Sequence, residues 1–190
     1  SRGLGDVYKR QLSGRIMSRT VLVVGGGGRE HALCLALSTS ASIDEIHTTP
    51  GNAGTEHYGT NHNVAASDIA GLVNLSKQLD VDFVVVGPEA PLCDGLADQL
   101  LEAGIPCFGP QQVHAELEGS KLFAKKAMDA AGVPTADYDV LDATSDIDAY
   151  LDARSKEPWV IKRDVLAGGK GVVVTADRTE AVEFLSLIHI

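Results

Sequence analysis

From Thr20 onward, short apolar runs alternate with stretches whose apolar positions recur at helical spacing. "TVLVVG" (20–25) is strand-like, and "REHALCLALSTS" after the glycines places Ala32, Leu33, Leu35, Ala36 and Leu37 on one broad helix face. "IDEIHTTP" (43–50) reads as a second strand, ended by Pro50. "SDIAGLVNLSKQLD" (67–80) reads as a helix with Ser67 as its cap signal. Next come "VDFVVVG" (81–87), a buried strand, "DGLADQLLEAG" (94–104), a helix closed by Gly104, and "IPCFG" (105–109), another strand. Strands alternating with helices predict an α/β fold, a doubly wound parallel sheet with right-handed connections.

After Pro110 the texture changes. "QVHAELEGSKLFAKKAMDAAG" (112–132) is helical but interrupted at Gly119, and "VPTADYDVL" (133–141) is an extended run. "SDIDAYLDAR" (145–154) is a short capped helix, "PWVIKRDVLAGGKGVVVTA" (158–176) a hairpin around a glycine loop, and "DRTEAVEFL" (177–185) the start of a last helix. The expected organisation is an N-terminal α/β domain over 17–115 and a truncated α+β subdomain over 116–185. Residues 1–16 carry four basic residues against one acid, with neither a clean period nor caps, and "LSLIHI" (185–190) interrupts a helical pattern with an apolar run. Both ends, 1–16 and 186–190, read as non-native tails, set apart from fold reasoning.

Composition narrows the function classes. The 190 residues are 44% apolar, mean hydropathy is near zero, and no long uncharged apolar run is present, which predicts a soluble protein without a membrane partner. Cys34, Cys93 and Cys107 lie far apart without metal-binding spacing and read as reduced thiols of a cytoplasmic protein. A net charge of −10 opposes binding to a polyphosphate backbone, so no nucleic acid is expected as partner.

The candidate chemistry lies in the loops. "VVGGGGREHAL" (23–33) puts free N–H groups at a helix start, with Arg29 beside them as a bidentate partner for a phosphate. A dinucleotide fingerprint would need a third glycine where Glu30 or His31 stands, and an acid at the end of the second strand, where the chain reads "HTTPGNAG". A tight turn opening a solvated helix is the plainer alternative. "TPGNAG" (49–54) and "GPEAPL" (87–92) also follow strands, so all three loops should face one crevice and bring Asn52 and Glu89 there. Asn52 favouring a left-handed turn and Glu89 as a solvated acid are the bland readings. Lys162 sits in the apolar strand "WVIK", either snorkelling outward or meeting an anion. Gly168, Gly169 and Gly171 around Lys170 make a loop able to close on phosphates, without P-loop spacing. Lys121 by itself would be a surface lysine.

Taken in order, "VVGGGGREHAL", "PGNAG", "VGPEAPL", "FGP", "LEGSK", "AGVPTADY" and "VIKRDVLAGGKGVVV" resemble the phosphoribosylamine–glycine ligases, from about Thr20 to about Leu185. The resemblance implies an ATP-dependent carbon–nitrogen ligase of purine synthesis, a Rossmann-like domain preceding an ATP-grasp module, and phosphoribosylamine, glycine and ATP as small-molecule partners. It implies that Gly27, Gly28 and Arg29 lie near the substrate phosphate and that Asn52 and Glu89 lie toward the sugar and amine. Lys121, Lys162 and the loop Gly168, Gly169, Lys170 and Gly171 would contact ATP. Mg²⁺ ligands belong to a second ATP-grasp half absent from this chain, no metal ligand is expected within it, and no catalytic base is assigned. The fragment is accordingly expected to be inactive alone. Arg163, Val165 and Gly168 depart from the family loop, and a positive φ at Val165 would be strained. Another ATP-grasp carboxylate–amine ligase and a non-catalytic nucleotide or sugar-phosphate module are the alternatives.

Overall fold

The computed structural model describes residues 19–154 and 158–188. The tail expected at 1–16 lies outside the described residues, as do His189 and Ile190. The chain divides into two compact units, one ending at Gln112 and one beginning at Val113.

The first unit opens with β1 (Arg19–Gly25), α1 (Gly28–Ser38), β2 (Ile43–Pro50) and a short edge strand β3 (Thr60–Asn61). It continues through α2 (Ile69–Gln78), β4 (Phe83–Val86), α3 (Ala90–Cys93), α4 (Leu96–Glu102) and β5 (Cys107–Phe108). The five strands form one sheet in the order β3-β2-β1-β4-β5, every neighbouring pair parallel. Central β1 is fully buried at Val21, Leu22, Val23 and Val24, as expected where helices cover both faces of a parallel sheet. Each such side chain contributes about 1.5–3 kcal/mol of burial. Val21, Val23, Ile46 and Val85 form one cluster with Cys34 of α1.

The topology decides where a ligand can sit. The chain builds outward from β1 through β2 to β3, then crosses back to place β4 on the other side of β1. At such a reversal, the helices leaving β1 and β4 part to opposite sides and open a crevice at the strands' carboxyl ends.

The second unit contains α5 (Gln112–Gly119, starting at the last residue of the first unit), α6 (Lys121–Ala131), α7 (Ile147–Ala153), the antiparallel pair β6 (Trp159–Lys162) and β7 (Val172–Thr175), and α8 (Arg178–Ile188). The expected break near Gly119 falls at Ser120, whose extended backbone caps α6 and whose hydroxyl accepts from Phe123 N–H at 3.0 Å. Gly132 ends that helix at φ 65°. Leu151, Ala181 and Leu185 form a core of the second unit with Trp159 and Ile161 packed against them.

Four sequence expectations change. Asp68, not Ser67, caps α2, its carboxylate accepting from Gly71 N–H at 2.9 Å. On α1 the inward positions are Glu30 and Cys34, with Leu33 and Leu37 half-buried, while Ala32, Leu35 and Ala36 face solvent. "GPEAPL" is only partly a loop, since Ala90 starts the helical turn α3. α8 runs on through Ser186 to Ile188, so the apolar run there continues the helix.

Candidate functional site

Three loops leave the carboxyl edge of the first unit's sheet, after β1, β2 and β4. The first two are joined by backbone contact: Gly51 N–H donates to Gly25 O at 3.1 Å. A Cβ at Gly26 would stand 2.7 Å from Gly51 O, which explains that glycine by close approach rather than by a ligand. Asn52 completes the joint. Its amide nitrogen donates to Gly26 O at 3.0 Å and Gly27 O at 3.2 Å, and its Oδ1 accepts from Gly54 N–H at 2.7 Å and Thr55 N–H at 3.1 Å. Asn61 of β3 supports the same loop, donating from Nδ2 to Asn52 O at 2.9 Å.

Gly27 caps α1, and Gly28 is its first residue. A Cβ on Gly28 would meet nothing within 4 Å, so the helix start is open there. Arg29 follows with its side chain 61% exposed, its Nε donating to Glu30 Oε1 at 3.1 Å and a terminal nitrogen 3.7 Å from Glu89 Oε2. The structure therefore brings Gly27, Gly28, Arg29, Asn52 and Glu89 together at one sheet edge. Asn52 spends its side chain on loop backbone, whereas Arg29 and Glu89 keep exposed polar atoms.

Sequence reasoning missed Glu30. It is 4% exposed, and its Oε2 accepts Gly27 N–H at 2.6 Å. The available signal was spacing, a glutamate three positions after a helix-capping residue, where such a side chain reaches back to the cap N–H. Beside this edge, His47 of β2 is buried, and its Nδ1 lies 3.0 Å from His62 Nε2, with Glu45 Oε1 3.3 Å from His47 Nε2. Burial, and secondarily the neighbouring His47, lower the pKa of His62. Burial pushes the Cys107 thiol up to about 11 and also raises that of Cys34. Both are weak nucleophiles at neutral pH.

In the second unit Lys121 and the glycine loop meet directly. Lys121 Nζ donates to Val165 O at 2.9 Å, while the Asp164 carboxylate accepts from Ser120 Oγ at 3.0 Å and Leu122 N–H at 3.0 Å. Beyond β6, Arg163 N–H donates to Gly171 O at 2.8 Å, and Lys170 N–H to Ala167 O at 2.9 Å. Gly168 and Gly169, at φ 53° and 80°, are the central residues of that last turn, left-handed positions that favour glycine. Val165 has no positive φ, so the strain raised for it does not arise. Lys162 lies on the exposed hairpin face with Val160, Val172 and Val174, and Lys170 is exposed at the loop tip.

Among the described residues no group of three or more His, Cys, Asp or Glu side chains is placed to hold a metal ion. Nor is any described helix long and apolar enough to cross a membrane.

A parallel α/β sheet with a glycine-lined reversal point, followed by helices and a glycine-looped hairpin, defines the Rossmann-like domain and opening portion of an ATP-grasp protein. Residues 19–118 match the family model described as "Phosphoribosylglycinamide synthetase, N domain", and residues 119–189 match "Phosphoribosylglycinamide synthetase, ATP-grasp (A) domain". The chain belongs to the phosphoribosylglycinamide synthetase family. It is 52% identical over 157 residues to the phosphoribosylamine–glycine ligase of Streptomyces coelicolor, covering 83% of this chain and 38% of that protein. The crystal structure of the Thermotoga maritima phosphoribosylamine–glycine ligase superposes with a TM-score of 0.64 at 32% identity, over 86% of this chain and 38% of that one. N5-carboxyaminoimidazole ribonucleotide synthetase from Thermus thermophilus shares the fold, with a TM-score of 0.67 at 19% identity over 89% of this chain and 44% of that one. The chain thus spans 38–44% of the length of these relatives.

Proposed function

We propose that this chain is the phosphoribosylamine-binding and first nucleotide-binding part of an ATP-dependent ligase that joins glycine to 5-phosphoribosylamine, forming glycinamide ribonucleotide, ADP and phosphate. The observation that carries the reading is Arg29, exposed beside the open helix start at Gly28 at the point where the strand order reverses. An anion there meets a guanidinium fork together with backbone N–H groups at the positive end of a helix. Glu89, half-exposed and within reach of Arg29, suits an amine or sugar hydroxyl on the same substrate. Asn52 contributes by holding the β1 and β2 loops in register.

In the complete reaction a glycine carboxylate oxygen attacks the γ-phosphorus of ATP. The O–P bond forms as the bond to ADP breaks, giving glycyl phosphate. The amine of phosphoribosylamine then attacks the acyl carbon, a C–N bond forms, the amine loses a proton, and phosphate leaves. Such chemistry relies on positioning and on charge stabilisation. Lys121, Lys162, Lys170 and the turn at Gly168–Gly169 with Gly171 are the groups this chain offers to ATP phosphates. Because the chain spans only 38% of the Streptomyces coelicolor ligase, it is proposed to bind substrate without turning it over.

Calorimetric titration of the chain with glycinamide ribonucleotide, alongside an assay with ATP, glycine and phosphoribosylamine, tests both parts. Saturable binding without product formation is expected. Absence of binding would remove the substrate assignment, and sustained product formation would remove the claim of inactivity.

A further inference from the structure

Glu30 is a buried acid at an otherwise solvent-facing turn, and the inference drawn from it rests on the substrate site proposed above. Gly27, Gly28 and Arg29 around it are exposed, yet Glu30 is 4% exposed. A carboxylate is costly to bury unless its oxygens find strong donors. Oε2 takes the Gly27 N–H at 2.6 Å and Oε1 takes Arg29 Nε at 3.1 Å.

The room for this side chain is made by glycine. A Cβ at Gly25, Gly27 or Gly87 would stand 2.6, 2.9 or 2.0 Å from the nearest Glu30 atom. Three glycines of the β1 and β4 loops are thus accounted for by the glutamate, while Gly28 alone of the first loop faces open space. Two consequences follow for a ligand. The Gly27 N–H is already taken, so an anion must use the amides after it. Arg29 is gripped by its Nε, so its terminal nitrogens are presented as a fixed fork, and little side-chain freedom remains to be lost on binding.

We propose that Glu30 is a positioning residue: its carboxylate, enclosed by Gly25, Gly27 and Gly87, fixes the Arg29 guanidinium so that the terminal nitrogens meet the phosphate ester of the substrate. Glu30 itself touches no substrate atom.

The test is a double-mutant cycle on the whole chain, with ribose 5-phosphate as the titrated probe. Glu30→Gln keeps the size of the side chain and an acceptor for Gly27 but turns an amide N–H toward Arg29 Nε. Affinity should fall about tenfold for Glu30→Gln in the natural background, the loss expected for a charged hydrogen bond, and less than about twofold in an Arg29→Ala background. Equal losses in both backgrounds mean that Glu30 merely supports the loop, and overturn the proposal. A second reading needs neither variant nor ligand: the Arg29 Nε–H should exchange slowly with solvent, and exchange as fast as in an exposed arginine overturns it. If the unaltered chain does not bind ribose 5-phosphate, the substrate assignment fails, and Nε–H exchange still decides whether Glu30 fixes Arg29.

Discussion

Asn52 holds Gly27 from across the loop, its amide nitrogen 3.2 Å from the Gly27 carbonyl oxygen and 3.0 Å from that of Gly26. All four hydrogen-bonding positions of this amide are used on backbone, two as donor and two as acceptor. Asn52→Ala should therefore lower both stability and ribose 5-phosphate affinity, each by about 0.5–1.5 kcal/mol, because exposed and half-buried loop groups lose their partners. Asn52→Asp should be worse, since a carboxylate oxygen would face two carbonyls. Thermal unfolding and calorimetry of the two variants measure this. An Asn52→Ala protein with lower affinity but unchanged stability would instead mean that Asn52 touches the ligand.

Gly28 and Gly87 should respond in opposite ways to the same substitution. Gly28→Ala adds a methyl in open space at the first turn of α1, so stability should hold or rise slightly while ribose 5-phosphate binding weakens. Gly87→Ala would set its Cβ 2.0 Å from Glu30 Oε1. That carboxylate would have to leave Gly27 and Arg29, with a stability loss of about 1–3 kcal/mol. Chemical denaturation of both variants, paired with titration, separates the two effects.

The His47–His62 pair predicts a pH dependence of stability. The folded pKa of His62 lies below the ordinary 6.5, chiefly through burial, so the unfolded chain binds more protons at mildly acidic pH. The contribution is therefore complete above 6.5 and is lost as pH falls from there through the lower folded value. His47 is the ionisable group facing it, and Glu45 Oε1 lies in turn 3.3 Å from His47 Nε2. The melting temperature should drop between about pH 7 and 5 by more in the natural chain than in His62→Gln. Parallel curves for the two would contradict this.

Gly168 and Gly169 carry a turn of the loop between β6 and β7 at positive φ, whereas Val165 has none. Gly168→Ala should cost about 1–2 kcal/mol in unfolding free energy, through left-handed strain. Denaturant unfolding measures it, and an unchanged midpoint would show that the turn adopts another conformation in solution.

Much of this architecture was legible because its causes are local. The buried run Val21–Val24, the helix break at Ser120 and the glycine hairpin follow from apolar period, cap chemistry and turn residues. The carboxyl-edge rule then placed Arg29, Asn52 and Glu89 in one region. What escaped depends on contacts between distant segments. β3 has two residues and no apolar pattern, and exists because Asn61 and His62 bond to the β2 loop and strand. Composition favours Ala32, Leu35 and Ala36 as the inner face of α1, but the register of the helix on the sheet turns Glu30 and Cys34 inward. Most of the glycines that looked like a phosphate cradle are explained by neighbours: Gly26 by Gly51, and Gly25, Gly27 and Gly87 by Glu30.

The central claim is that the open helix start at Gly28, with Arg29, receives the phosphate of a phosphoribosyl substrate. Backbone amide and Arg29 Nε–H resonances of the chain, followed by NMR during titration with glycinamide ribonucleotide, test it most directly. The account predicts saturable shifts centred on Gly28 and Arg29 and extending to Glu89, with ribose 5-phosphate reproducing those at Gly28 and Arg29. Shifts confined to other loops, or none at millimolar ligand, would contradict it.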